Sequence, residues 1–146
     1  MTRLLRISLL AVFALSLLAV AAGAAGHHRV LVKKDVVSEE FAYRPHAIGL
    51  SGDGTFFLYG LHWVHYGQKS ATAKGRALTR GCEPNCAQGR EFEPRVKIRL
   101  SQVNRCGKVY YFGELRYTLF GHIPTGLKRQ GTISMAPAGE GDTDAC

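Results

Sequence analysis

From residue 95 to residue 100 polar and apolar side chains alternate without a break. Val96, Ile98 and Leu100 fall on one side, and Arg95, Lys97 and Arg99 on the other. Side chains of an extended strand point to opposite faces in turn, so this pattern predicts a half-buried antiparallel strand. Asn104-Arg105-Cys106-Gly107 has turn composition, and alternation resumes over residues 108–120, with Val109, Tyr111, Leu115, Tyr117 and Leu119 on one parity. A two-residue turn at Arg105-Cys106 or at Cys106-Gly107 joins the two strands with their apolar faces on the same side. The second register sets Arg99 opposite Glu114 and is favoured slightly for that reason.

Upstream the pattern is denser. Residues 55–66 are aromatic and nearly continuous in apolar character, which predicts a central strand covered on both faces. Strict alternation puts Phe57, Tyr59, Leu61 and Trp63 on one face and Phe56, Leu58, His62 and Val64 on the other. Ala71, Ala73, Gly75 and Ala77 then alternate with Thr72, Lys74, Arg76 and Leu78. The face of very small side chains is expected to receive Trp63. Val30-Leu31-Val32 and Val36-Val37, bounded by Lys33-Lys34-Asp35, read as a first strand at a sheet edge. Residues 49–54 are a turn cluster in which Asp53 caps its own loop, and residues 130–135 form a short strand. No helix of useful length and no internal repeat is found. The predicted fold class is all-β: an antiparallel β-sandwich or partly closed barrel of about five to seven strands, disulfide-stabilised.

The first residues change the picture of where this domain works. Arg3 and Arg6 precede an apolar run over residues 7–20, and small residues follow to Ala25. The run is 14 residues long, short of the roughly 20 that a membrane helix needs. Residues 1–25 are therefore read as a signal peptide, 26–135 as a secreted β-domain and 136–146 as a flexible C-terminal tail. The expected location is extracellular or associated with the cell envelope, with no transmembrane segment in the mature chain. Loss of the leader removes two basic residues of 19 and none of the 11 acidic ones, which leaves a net charge of +6. Four cysteines in an exported chain read as two disulfides among Cys82, Cys86, Cys106 and Cys146. Three pairings exist on paper. Cys82 and Cys86 bracket the turn Glu83-Pro84-Asn85, which favours Cys82–Cys86 with Cys106–Cys146.

Candidate chemistry is sparse. No Gly-x-Ser-x-Gly elbow occurs, the cysteines are accounted for as cystines, and acids that would serve as a catalytic pair are few. A zinc set of Cys82, Cys86, Cys106 and His62 or His65 lacks the second paired ligand cluster of a structural site. His62 and His65 are read as packing or hydrogen-bonding residues. Processing after Ala25 would expose Gly26-His27-His28, a chelate for copper(II) or nickel(II), but a disordered polar start is the preferred reading. No catalytic residue, metal or cofactor is assigned. The remaining lead is a candidate anionic-ligand face of Arg95, Lys97 and Arg99, with Arg116 beside them across the hairpin. Nucleic acid is not expected as its partner, because no recognition motif is present.

Gly52-Asp53-Gly54, Leu61-x-Trp63, Ala71-x-Ala73-x-Gly75 and Cys82-x-Pro84-x-Cys86-Ala87-x-Gly89, ahead of Val96-x-Ile98-x-Leu100, resemble a group of small exported actinobacterial proteins of unassigned function. The resemblance spans residues 47–120. Ser51 and Tyr66 stand where members of the group often carry a cysteine and a second tryptophan, so no disulfide pattern transfers, and the group supplies no catalytic residues. The expected function is that of a non-enzymatic secreted β-domain that binds a cell-envelope polymer, a polysaccharide or a secreted protein. The alternative is a small secreted hydrolase or metal-dependent enzyme whose site assembles only in three dimensions.

Overall fold

Every second residue of 95–100 leaves solvent, as alternation requires: Val96, Ile98 and Leu100 are buried, and Arg95, Lys97 and Arg99 are exposed. The computed structural model describes residues 28–81, 83, 85 and 88–137. The leader, residues 138–146 of the tail, and Cys82, Cys86 and Cys146 lie outside the described residues, as do Gly26 and His27. Within them are nine strands: β1 (Val30–Lys33), β2 (Phe41–Ala42), β3 (Ile48–Gly49), β4 (Phe56–Tyr66), β5 (Ala71–Arg80), β6 (Glu91–Phe92), β7 (Arg95–Cys106), β8 (Val109–Phe120) and β9 (Gln130–Ser134). The all-β class is borne out. The strands form not a sandwich but a single curled sheet, a half-barrel, ordered β2-β1-β8-β7-β5-β4-β3 with β6 on β5 and β9 on β8. A backbone bridge from Asp35 to Gly49 ties the segment after β1 to β3, near the two ends of that order.

The β7–β8 hairpin keeps the expected faces but not the expected turn. Cys106 pairs with Val109, so the turn is Gly107-Lys108, one residue beyond the later of the two expected positions. Gly107 takes the first turn position at φ 56°, the left-handed backbone a tight hairpin needs there and glycine adopts most readily. Arg99 consequently faces Arg116 rather than Glu114, which faces Ser101. Cys106 is buried at the end of β7.

β4 departs furthest from strict alternation. It runs antiparallel to β5, but its register slips between Tyr59 and His62 and again between Trp63 and His65. Each slip adds one β4 residue, and the inward positions become Phe56, Leu58, Leu61, Trp63 and Tyr66, with three-residue steps at the two bulges. Gly60, at φ 59°, provides the first bulge, since an unpaired residue there needs a backbone most side chains avoid. The expectation of a strand covered on both faces is corrected with it: Phe57 and Val64 are exposed at 36% and 67%. Trp63 stands opposite Ala73 on β5's small-residue face and is partly buried against the core. Its Nε1 donates to Pro45 O at 3.1 Å.

β1 is not an edge. It pairs parallel to β8 and antiparallel to β2, which also corrects the purely antiparallel expectation. One of the charges that suggested an edge is internal: Lys33 is fully buried, its Nζ donating to Val36 O at 3.3 Å and Ala136 O at 3.2 Å, with Glu39 at 3.4 Å. The core fills the inside of the curl with Leu58, Leu61, Ile98, Leu100, Leu115 and Leu119, among others. Each such side chain contributes roughly 1.5–3 kcal/mol on leaving water.

Asp53 caps its loop as expected, Oδ1 accepting from Thr55 N at 3.1 Å and Thr55 Oγ1 at 2.7 Å. These bonds, the hydroxyl's first, hold its pKa down from 3.8 to about 2. A depressed carboxylate stabilises the fold above its unfolded pKa and loses that contribution as pH falls through the folded one. The loop at 51–55 is therefore expected to loosen between about pH 4 and pH 2. Carboxyl NMR titration checks this. A midpoint for Asp53 near the ordinary value would remove the cap.

Candidate anion-binding face

On the outside of the curl, the chemistry follows from which strands are neighbours. β6 and β7 run in one register along the same edge of β5, so the outward residues of β5 meet those of β7: Thr72 faces Arg99, Lys74 faces Lys97, and Arg76 faces Arg95. β8 extends the rows, with Arg116 against Arg99, Thr118 against Lys97 and Phe120 against Arg95. On the other flank β4 places His62 beside Lys74 and His65 beside Thr72. Both histidines are exposed and belong to this outer face.

Three of these cross-strand pairs are cation on cation: Lys74–Lys97, Arg76–Arg95 and Arg99–Arg116. Like charges directly opposite destabilise a sheet, by up to about 1 kcal/mol per pair. Acids relieve only the margins. Glu93 pairs with Arg76 at 3.3 Å, and Glu114 pairs with Arg116 at 2.8 Å. Glu114 also accepts from Ser101 at 3.1 Å and Gln102 at 2.9 Å, which commits both of its oxygens. Lys74, Arg95, Lys97 and Arg99 have no acidic partner among the described residues. Partial desolvation, and then the Glu93 carboxylate beside it, push the Tyr59 hydroxyl's pKa up.

A groove of about 410 Å³ runs between the uncompensated cations, lined by Lys74, Gly75, Arg95, Val96, Lys97 and Phe120. Phe120 is 44% exposed and gives the groove an apolar edge. Strand spacing sets the charges on a lattice of roughly 5 Å across strands and 7 Å along them, a repeat suited to an extended chain with regularly placed anionic groups.

All four residues singled out from sequence, Arg95, Lys97, Arg99 and Arg116, share this face. Sequence reasoning missed Lys74 and Arg76. Their alternation was legible, but nothing in the sequence says that β5 lies against β7.

A second groove, of about 390 Å³, brings Glu91, Glu93 and His122 together. Each acid is already paired, Glu91 with Arg80 and Glu93 with Arg76, and the His122 ring lies 5.3 Å from Phe92. Among the described residues no three His, Cys, Asp or Glu side chains gather as metal ligands. The zinc set weighed from sequence falls partly on Cys82 and Cys86, outside those residues. His28, the described member of the amino-terminal chelate, stacks on Tyr110 at 3.8 Å. No helix among the described residues is long and apolar enough to cross a membrane. Comparison with known protein families, curated proteins and solved structures finds no match to this chain.

Proposed function

We propose that this chain is a non-enzymatic exported β-domain that binds an anionic cell-envelope polymer along the outer face of β5, β7 and β8, braced by the cystines Cys82–Cys86 and Cys106–Cys146. The observation that carries the reading is the set of cation-on-cation pairs. A solvated strand face needs charge of either sign, and mixed signs would be more stable. Three like pairs side by side, with four cations lacking an acid, make a field that an anionic chain neutralises. The leader supports export, and the lattice supports a polymer over a single small anion, since neighbouring cations engage successive charges of one strand.

The test is retention and affinity on immobilised polyphosphate and poly-glutamate across a salt series. Binding is expected to weaken steeply with ionic strength, because exposed charges are screened over about 10 Å at 0.1 M salt. Salt-insensitive binding, or no binding to either polymer at low salt, overturns the proposal.

A further inference from the structure

A different part of the molecule has the make-up of a ligand site. Where the end of β4 meets the start of β1, a cleft of about 530 Å³ is lined by His28, Arg29, Val30, Tyr43, Tyr66, Gly67 and Gln68. That volume falls within the roughly 300–1,000 Å³ of small-molecule sites. Its walls are fixed before any ligand arrives. The Tyr66 hydroxyl donates to Val30 O at 2.8 Å, and the Tyr66 ring meets Tyr43 and Trp63 edge-on at 4.9 Å each and Phe112 at 5.8 Å. Burial pushes the Tyr66 hydroxyl up to about 12, so it stays protonated and keeps that bond through any ordinary pH.

Two arginines complete the arrangement. Arg44 sits 5.2 Å from the centres of both the Tyr43 and the Tyr66 rings. Its backbone is left-handed, at φ 51°, a conformation that costs a non-glycine residue roughly 1 kcal/mol or more and recurs at ligand clamps. Arg29 lies over the Tyr43 ring at 5.3 Å and has no ion pair among the described residues. A guanidinium laid on a ring keeps its planar fork of donors for a carboxylate or phosphate. Tyr43 itself is 44% exposed, and Gln68 adds an exposed amide at the rim.

We infer that this cleft binds a sugar acid: a pyranose unit whose carboxylate or phosphate is held by Arg29 above the Tyr43 ring and whose apolar face packs against the exposed edge of Tyr43. An open cleft with a half-exposed tyrosine, a cation above it and the Gln68 amide at its rim matches a ligand that is anionic at one point, apolar on one face and hydroxylated at its edge. Arg44 is a positioning residue that holds the two tyrosines at their angle. The inference stands on residues separate from the β5–β7–β8 face and does not depend on it.

The experiment is an amide NMR titration of the purified protein with D-glucuronate and with glucose 6-phosphate, against glucose and benzoate. Both sugar acids are expected to shift Tyr43, Tyr66 and Gly67, and the stronger of the two identifies the acid group preferred. Glucose is expected to bind about tenfold more weakly, and Arg29→Gln to weaken the sugar acids about tenfold, the size of one charge-assisted hydrogen bond. Arg44→Gly places glycine where φ is left-handed, so stability is retained while binding falls as the rings are released. Tyr43→Ala, at an exposed position, provides a second variant that keeps the fold, and melting curves verify both. Lys97→Glu with Arg99→Glu leaves the titration unchanged. No shifts at the cleft with either sugar acid, equal binding of glucose and glucuronate, or benzoate binding above both sugar acids would each overturn the inference.

Discussion

The double substitution Lys97→Glu with Arg99→Glu is expected to weaken binding to polyphosphate roughly a hundredfold, about 2.7 kcal/mol, and to leave the free protein as stable as before or more so. The opposite signs are the point. Both positions are exposed at the middle of β7, where they bury nothing. Across β5 the change at 97 converts the Lys74–Lys97 pair into an attractive one, and across β8 the change at 99 does the same for Arg99–Arg116. Each conversion is worth up to about 1 kcal/mol of stability. A merely solvated face would gain that stability with nothing lost. A face kept cationic for a ligand loses the ligand as it gains stability, the usual trade between a strained functional surface and a relaxed one. Affinity measured beside thermal melting separates the two. Unchanged binding would dismiss the face as a polyanion site, and a large fall in melting temperature would show the charges to be structural.

How far the sequence led can be followed along β7. The burial of Val96, Ile98 and Leu100 and the outward cations were legible because a regular strand has one period, and register errors of two residues preserve its faces. That is why the hairpin turn was misplaced while the face it builds was assigned correctly. β4 is the converse case. The residue inserted at Gly60 reverses the faces of the positions between the two bulges, so Leu61 and Trp63 turn inward, and the second insertion restores the original parity, so Tyr66 faces inward on the same parity as Phe56 and Leu58. Gly60 was the available signal, since glycine inside a strand pattern marks a bulge, but the reading of residues 55–66 kept strict alternation through it. Lys33 was read as an edge charge because burial of a lysine depends on acceptors far away in the chain. One of them, Ala136 O, is 103 residues distant. Lys74 and Arg76 were missed for the same kind of reason: adjacency of β5 and β7 is a tertiary fact. The tyrosine cleft, assembled from residues 28–30, 43 and 66–68, left no local trace.

Gly75→Val is expected to destabilise the protein by about 3 kcal/mol or more, as inserting bulk against fixed backbone does. A Cβ at Gly75 would stand 2.7 Å from Tyr59 O, 3.0 Å from Leu61 Cδ2 and 3.1 Å from Gly60 O. Two of those three atoms are backbone carbonyls of the first β4 bulge, which have no rotamer to escape into. The bulge folds over β5 at the one place on its inward face where Ala71, Ala73 and Ala77 give way to a residue with no side chain. Its loss would push β4 away from β5, or force β4 back to strict alternation, which would turn Leu61 and Trp63 out of the core. Gly75 also lines the groove between Lys74 and Lys97, so the lesion reaches the binding face as well as the core. Gly60→Ala is the discriminating partner. Its Cβ meets nothing within 4 Å but its φ is 59°, so the cost is the left-handed backbone alone, about 1 kcal/mol. Chemical denaturation of both variants orders the effects. A Gly75→Val protein as stable as its parent would mean that β4 does not cross β5 in this register, and the assignment of His62 to the cationic face would fall with it.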